Sequence, residues 1–174
     1  MPIALELFIQ MIISIAQEKD LKQMVDIYNQ AIEAGQNTAD TETFSVADRQ
    51  EWFESHSAEK HPLLVAKESD VVLGYLTISP YRYGRKALQH TAEISYYIHF
   101  KHHRKGVASK LMQEALEQCP ALKIKTLIAI LIGSNQGSIK LLEKNGFKEW
   151  GNMPEIVELD SGKFSHLYYG LHLR

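Results

Sequence analysis

Residues 91–118 read TAEISYYIHFKHHRKGVASKLMQEALEQ, and this stretch decides the fold. In its first ten residues Ile94, Tyr96 and Ile98 alternate with more polar positions, which predicts a β-strand over 91–100. A basic turn that contains glycine follows at 102–106. The apolar spacing then changes to that of a helix over about 107–118, which should end before Pro120. The stretch is therefore predicted to form a strand, a turn and a helix.

Before this stretch the pattern predicts two helices and three strands, at 11–16, 20–34, 46–56, 63–66 and 71–78. We expect Asp20 to cap the first helix and Gly35 to stop it. Ser45 and Asp48 have the spacing of a capping box at the second helix. Pro80 should close the last of these strands.

After residue 118 the chain resumes with a near-continuous apolar run over 126–132, which predicts a strand buried on both faces. A helix over 135–145 follows. Two strands, 147–160 and 163–173, then form an antiparallel pair around Ser161 and Gly162. The predicted fold is a mixed α/β domain of order β-α-α-β-β-β-α-β-α-β-β, with one parallel step between the strands at 91–100 and 126–132.

Composition limits the function classes. The 174 residues suggest one domain, and 19 Lys+Arg against 21 Asp+Glu argue against a bulk nucleic-acid binder. No apolar run is long enough to span a membrane. The first residues lack the basic start of a secretory signal, so we expect residues 1–10 to be an extension before a domain at 11–174. With one cysteine, we expect a cytoplasmic protein.

The turn before the helix at 107–118 has the features of a phosphate-binding site. A helix start presents free backbone N–H groups and a positive dipole end, and Lys101, Arg104 and Lys105 add charge. Gly106 allows close approach of a ligand, and Ala108 is small. These features predict a cradle for phosphate or pyrophosphate. The alternative is an ordinary basic helix start.

With this turn, several segments together resemble the GCN5-related N-acetyltransferase (GNAT) superfamily, whose pattern here is Arg/Gln-x-x-Gly-x-Gly/Ala. The chain looks most similar to the phosphinothricin and methionine sulfoximine acetyltransferase branch. The resemblance covers about 11–173. It is carried by residues 28–29, 38–42, 48–53, 91–95, 103–108, 135–138 and 143–147.

The resemblance implies that acetyl-CoA lies in a V between the two parallel strands. The backbone of Tyr96, Tyr97 and Ile98 would pair with the pantetheine arm, and a backbone N–H near Ile98 would stabilise the oxyanion. Asn135 and Ser138 would contact the pantetheine amides. The pyrophosphate would lie on the turn formed by His103, Arg104, Lys105, Gly106, Val107 and Ala108.

The resemblance also implies a direct attack of an amine on the thioester, with Glu93 as the base. The loop before Glu93 offers Arg82 and Tyr83 to an acidic substrate, and Ile94 and Ser95 would line the acceptor side. Within this branch an aromatic residue is common near Leu88. That departure leaves the exact substrate open.

Two further departures concern the cofactor and the leaving group. His103 stands where the family has Arg or Gln, so we expect weaker contact with CoA. Leu142 stands where many relatives have a tyrosine acid. A thiolate is an adequate leaving group without protonation, because the pKa of a free thiol is about 8.5. We therefore expect no tyrosine acid, unless Tyr97 or Tyr168 replaces it.

His99, His102 and His103 do not predict a metal site, because the neighbouring cations would repel a dication. Cys119 is expected to be buried filler, and Trp52 and Phe53 to be core or pocket wall.

The predicted function is acetylation of a small amine such as an amino acid or analogue. The alternatives are a protein or peptide N-acetyltransferase and a non-catalytic acyl-CoA sensor. The branch also implies a homodimer.

Overall fold

One mixed sheet organises the computed structural model, which describes residues 10–173. The strands are β1 (Ile12–Ile15), β2 (Leu63–Glu68), β3 (Val71–Pro80), β4 (Thr91–Ile98), β5 (Thr126–Ile132), β6 (Lys148–Leu159) and β7 (Gly162–His172). The helices are α1 (Leu21–Glu33), α2 (Val46–Glu54), α3 (Val107–Gln118) and α4 (Gln136–Lys144). The predicted order of elements is confirmed. The predicted extension, residues 1–10, lies almost wholly outside the described residues.

The strands are arranged in the order β1-β2-β3-β4-β5-β7-β6. β4 and β5 run parallel, and the other neighbouring pairs are antiparallel. The predicted parallel step is therefore confirmed. None of the described helices is long and apolar enough to cross a membrane.

The two faces of the sheet carry separate hydrophobic cores, because side chains alternate along each strand. Leu64 and Ala66 of β2 belong to the cluster that α3 and α4 pack against, and Leu63 and Val65 belong to the cluster under α1. Cys119 is fully buried within the core formed with α3 and α4, and burial raises the pKa of its thiol to about 11. The prediction that it is buried filler is confirmed.

Of two predicted strand ends, one is confirmed and one was wrong. Pro80 closes β3 as its last residue and lies opposite Ala92. The backbone nitrogen of Pro80 points to the β2 side, as does that of Ile78, whose N–H donates to the carbonyl of Pro62. No residue of β2 lies opposite Pro80 to accept a hydrogen bond, so the missing N–H of proline costs nothing there. β4 ends at Ile98 because the next residues form a 3₁₀ turn over 100–102.

The sequence predicted that the side chain of Asp20 caps α1, and this was wrong, because it makes no capping hydrogen bond. It ends a 3₁₀ turn, is only 2% exposed, and accepts hydrogen bonds from Lys67 (2.9 Å) and from the backbone N–H of Gln17 (2.9 Å). A buried carboxylate needs such partners. Asp20 therefore ties the start of α1 to β2. The capping box of Ser45 and Asp48 is confirmed.

Removing the cation of this buried pair should destabilise the fold. We expect Lys67→Met to lower the free energy of unfolding by about 3 kcal/mol, because the carboxylate of Asp20 stays buried without its charged partner. Lys19→Met is the matched control, since Lys19 pairs with Asp70 at the surface and should cost no more than about 0.5 kcal/mol. Equal urea midpoints for the two variants would contradict this account.

Candidate active site

The parallel pairing of β4 with β5 stops about halfway along both strands. Its last pair is Ile94 and Ala129. Beyond it β4 stays paired with β3 as far as Ile98, and β5 stays paired with β7 as far as Ile132. The two strands therefore diverge, and an opening begins in the middle of the sheet.

The backbone of β4 determines what this opening can bind. The N–H of His99 donates to Leu73 of β3 (2.9 Å), and the register between β3 and β4 has no bulge. Alternate residues of an antiparallel pair direct both backbone groups to the same neighbour. Tyr97 therefore faces β3 with its backbone, and Tyr96 and Ile98 face the opening. The expectation that Tyr97 also offers its backbone to a ligand does not fit this alternation.

A cleft of about 490 Å³ lies at the opening and continues as a narrow space between the diverging strands. Both parts are lined by residues from the loop after α1, from β4 and from the start of α4, namely Asn37, Tyr96, Tyr97, Asn135 and Ser138. Ile130 and Leu131 of β5 line the narrow part. They are only half-buried for that reason, so the prediction that β5 is buried on both faces was wrong for them.

The start of α3 forms one end of the wider cleft. Its N-cap, Gly106, has a left-handed φ of 79° and supplies no capping side chain. The N–H groups of the first turn are thus left without a cap, and Gly106, Val107 and Ala108 line the cleft. This turn can hold an anion by backbone hydrogen bonds alone.

The side chains of the turn add positive charge at its surface. Lys101, Arg104 and Lys105 are exposed, and none of them forms an ion pair with a carboxylate in the described part of the chain. His103 lines the cleft, but its Nε2–H donates to the carbonyl of Ile98 (2.9 Å). That nitrogen therefore holds the turn against the end of β4.

The start of α4 forms the opposite wall. The side chain of Asn135 caps this helix by accepting from the N–H of Ser138 (3.1 Å). The carbonyl of Ser138 accepts a long hydrogen bond from the hydroxyl of Tyr96 (3.5 Å). Burial raises the pKa of Tyr96 to about 12. The two helix starts thus face each other across the cleft.

Glu93 lies on β4 just before the strands diverge, opposite Ser79 of β3 and Ile128 of β5. It shares a face of the sheet with Ser95, whereas the neighbouring Ile94 is buried in the other core. Glu93 is half-buried, and burial raises the pKa of its carboxyl group. Neither part of the cleft is lined by Glu93 itself, so its carboxylate would act through water.

A histidine that no sequence motif indicated, His56, is linked to the surroundings of Glu93 through Ser79, which lies opposite Glu93 on β3. His56 donates from Nδ1 to the carbonyl of Trp52 (2.8 Å), so its Nε2 accepts the hydroxyl hydrogen of Ser79 (2.9 Å). Burial lowers the pKa of His56, and the charge of Arg49 lowers it further. His56 is therefore held neutral on the same face as Glu93.

The predicted acceptor residues of the loop after β3 lie apart from the cleft. Arg82 is exposed with its guanidinium 5.7 Å from the ring of Tyr81, and Tyr83 is 92% exposed. Ile94 and Ser95, by contrast, line its narrow part. The structure thus brings together Ile94 and Ser95 but leaves Arg82 and Tyr83 at the surface.

Tyr97 and Tyr168, the two tyrosines that could replace the acid missing at Leu142, occupy different places. Tyr97 is half-buried and packs against Tyr28 and Tyr75, and desolvation raises the pKa of its phenol. Tyr168 lies opposite Ile130, on β7. Leu142 is buried beneath the narrow part of the cleft.

In residues 10–173, no group of three or more His, Cys, Asp or Glu side chains could hold a metal ion.

Comparisons with known proteins agree on one family. The profile of the acetyltransferase (GNAT) family matches residues 21–147. YwnH of Bacillus subtilis (strain 168), provisionally described as a phosphinothricin acetyltransferase, is 42% identical over 164 residues, which cover 94% of this chain and 99% of that protein. The L-amino acid N-acyltransferase MnaT of Escherichia coli (strain K12) is 29% identical, with 84% of each chain covered.

A solved structure also has the same fold. The phosphinothricin acetyltransferase of Sinorhizobium meliloti, in complex with AcCoA, superposes with a TM-score of 0.88 at 26% identity. The match covers 94% of this chain and 88% of that one.

The burial of Glu93 should cost stability when the group is charged. Burial raises the pKa of Glu93 in the folded state above its value in the unfolded state. The loss of stability is therefore absent at a pH below the unfolded-state pKa and appears as the pH rises through the folded-state pKa. We expect Glu93→Gln to raise the Tm at pH 8 and to leave it near that of the parent at pH 3. The exposed Glu51→Gln is the control. An equal gain for Glu93→Gln at both pH values would refute burial as the cause.

Proposed function

The chain belongs to the acetyltransferase (GNAT) family and is an acetyl-CoA-dependent N-acetyltransferase, and we propose that it acetylates the amine of an amino acid or a close analogue such as phosphinothricin or methionine sulfoximine. The observation that carries this proposal is the divergence of β4 and β5 beside a half-buried Glu93. It joins an extended cleft for the acyl donor to a base on the acceptor face.

The proposed donor site uses mainly backbone groups. The pantetheine arm would pair with the backbone of Tyr96 and Ile98 as an additional strand edge. The pyrophosphate would lie on the uncapped N–H groups that follow Gly106, with Arg104 and Lys105 adding charge at the surface. Asn135 and Ser138 are close enough to the cleft to contact the pantetheine amides. The N–H of Ile98 would stabilise the oxyanion.

The proposed reaction is a direct attack by the amine. The ammonium group of the acceptor loses one proton to Glu93 through a water molecule, because the free amine is the nucleophile. The nitrogen then bonds to the thioester carbon, and the carbon–sulfur bond breaks as the tetrahedral intermediate collapses. The second nitrogen proton passes to the thiolate or to water. A raised carboxyl pKa makes Glu93 a better base at neutral pH.

We also propose that the protein is a cytoplasmic homodimer. Support for an association surface comes from the edge strand β6, on which Trp150, Met153 and Ile156 are exposed. Exposed apolar side chains on an edge strand favour contact with another chain. The single buried Cys119 is compatible with a reducing compartment.

Replacing Gly106 tests the donor site. We expect Gly106→Val to raise the Kd of acetyl-CoA about tenfold or more, because a β-branched residue cannot keep a φ of 79° without strain and the turn must change shape. Gly84→Val is the matched control, since Gly84 also has a left-handed φ of 75° in an open loop. Calorimetry that gives the same Kd for both variants would remove the turn from the donor site.

Replacing Glu93 tests the base. The parent enzyme should release CoA thiol with amino acids, phosphinothricin or methionine sulfoximine as acceptors. We expect Glu93→Gln to lower kcat/KM by roughly 10²-fold near neutral pH and to recover at high pH, where the amine loses its proton unaided. The same pH profile in the variant and the parent would exclude Glu93 as the base.

A further inference from the structure

Arg49, in the middle of α2, is surrounded by aromatic rings. Its guanidinium carbon lies 4.0 Å from the ring centre of Trp52, 5.2 Å from that of Tyr28 and 5.3 Å from that of Phe44. The residue is half-buried. Stacking on aromatic faces stabilises a guanidinium and fixes its plane. It leaves the N–H groups at the edge of that plane without acceptors.

No acidic group of the described chain satisfies those N–H groups. Arg49 takes part in none of the ion pairs or side-chain hydrogen bonds formed by residues 10–173. The carboxylates nearby are engaged elsewhere, since Asp48 accepts from Ser45 and Asp40 accepts from the hydroxyl of Tyr28. A guanidinium has five donors. Those of Arg49 remain accessible, since in residues 10–173 the hydroxyl of Ser134 is the one buried side-chain polar atom without a partner. The arrangement fits an acceptor that comes from outside the chain.

Arg49 belongs to the acceptor face of the sheet. Tyr28, one of its ring partners, packs edge-on against Tyr97 with 4.7 Å between ring centres, and Tyr97 lines both parts of the cleft. Trp52, its closest ring partner, packs against His56, which is bonded to Ser79. Arg49 is thus connected by direct packing both to the cleft and to the residues beside Glu93.

We propose that Arg49 is the receptor for the carboxylate of the acceptor substrate, an assignment that rests on the proposed acetylation of amino acids. A planar guanidinium binds a carboxylate through two parallel hydrogen bonds, and here three rings already hold it in place. Arg82 is the rival for this role. It is exposed and has one ring contact, at 5.7 Å, so water screens its charge and the loss of side-chain freedom on binding is greater.

The test compares acceptors that differ only in the carboxylate. Phosphinothricin, methionine sulfoximine and methionine are each assayed beside the corresponding carboxamide, with the parent, Arg49→Met and Arg82→Met. In the Arg49→Met variant the new side chain keeps an apolar stem against Trp52 but removes the positive charge. The ratio of variant to parent is taken for each acceptor separately, so that differences in amine basicity cancel.

We expect Arg49→Met to lower kcat/KM for the carboxylate acceptors about 30-fold or more, mainly through KM, and to change the carboxamides by less than about threefold. Arg49→Lys should lie in between, because it keeps the charge without the paired donors. Equal losses on acids and amides would make Arg49 a structural residue only. A selective loss in Arg82→Met instead would transfer the role to Arg82. Either result overturns the proposal.

A binding measurement separates this proposal from the proposed function. Trp52 is the only tryptophan left in a Trp150→Phe background, so its fluorescence reports ligands near Arg49. We expect N-acetylmethionine to change this fluorescence and N-acetylmethioninamide to have no effect, and Arg49→Met to abolish the response. We expect the same fluorescence responses even if none of the tested amines is acetylated. In that case the proposed class of acceptor is wrong, and the assignment of Arg49 stands. No response in the parent would overturn the assignment of Arg49.

Discussion

The incomplete ladder between β4 and β5 is the constraint on which the rest of the structure depends. Because the ladder ends at Ile94 and Ala129, backbone groups of Tyr96 and Ile98 face an opening within the sheet. The carbonyl of Ile98 is paired with His103, and the remaining groups can pair with a ligand. Because the two strands are parallel, the helices that follow them begin at the same edge. The starts of α3 and α4 therefore meet at this opening.

The two faces of the sheet differ in how they use charge. On the donor side, binding would depend on backbone N–H groups and exposed cations. On the acceptor side, burial favours the neutral forms, since it raises the pKa of Glu93 and lowers that of His56. Arg49 is the exception, because guanidinium cannot lose its charge and is held by aromatic rings instead.

Local patterns were enough to predict the order of elements and the turn at Gly106, because each depends on residues close in sequence. The parallel step could be predicted because a helix connects the two strands. The features that the sequence missed depend on packing between distant segments. Asp20 shows this, since a preceding 3₁₀ turn carries it inside to Lys67. The neighbours of Arg49 depend on how α2 lies on α1, which periodicity does not specify. The direction of the Tyr97 backbone depends on which residues of β4 pair with β3.

The departure of CoA can be argued from the residues around the narrow cleft. Leu142 is buried there and has no proton to give. The hydroxyl of Tyr96 reaches the carbonyl of Ser138, one turn earlier on α4, but burial raises its pKa to about 12. A thiol has a pKa of about 8.5, so proton transfer from this phenol to a thiolate would be unfavourable. Tyr96 can at most donate a hydrogen bond. The acetylated ammonium is far more acidic than this phenol, so the amine itself is the better proton source.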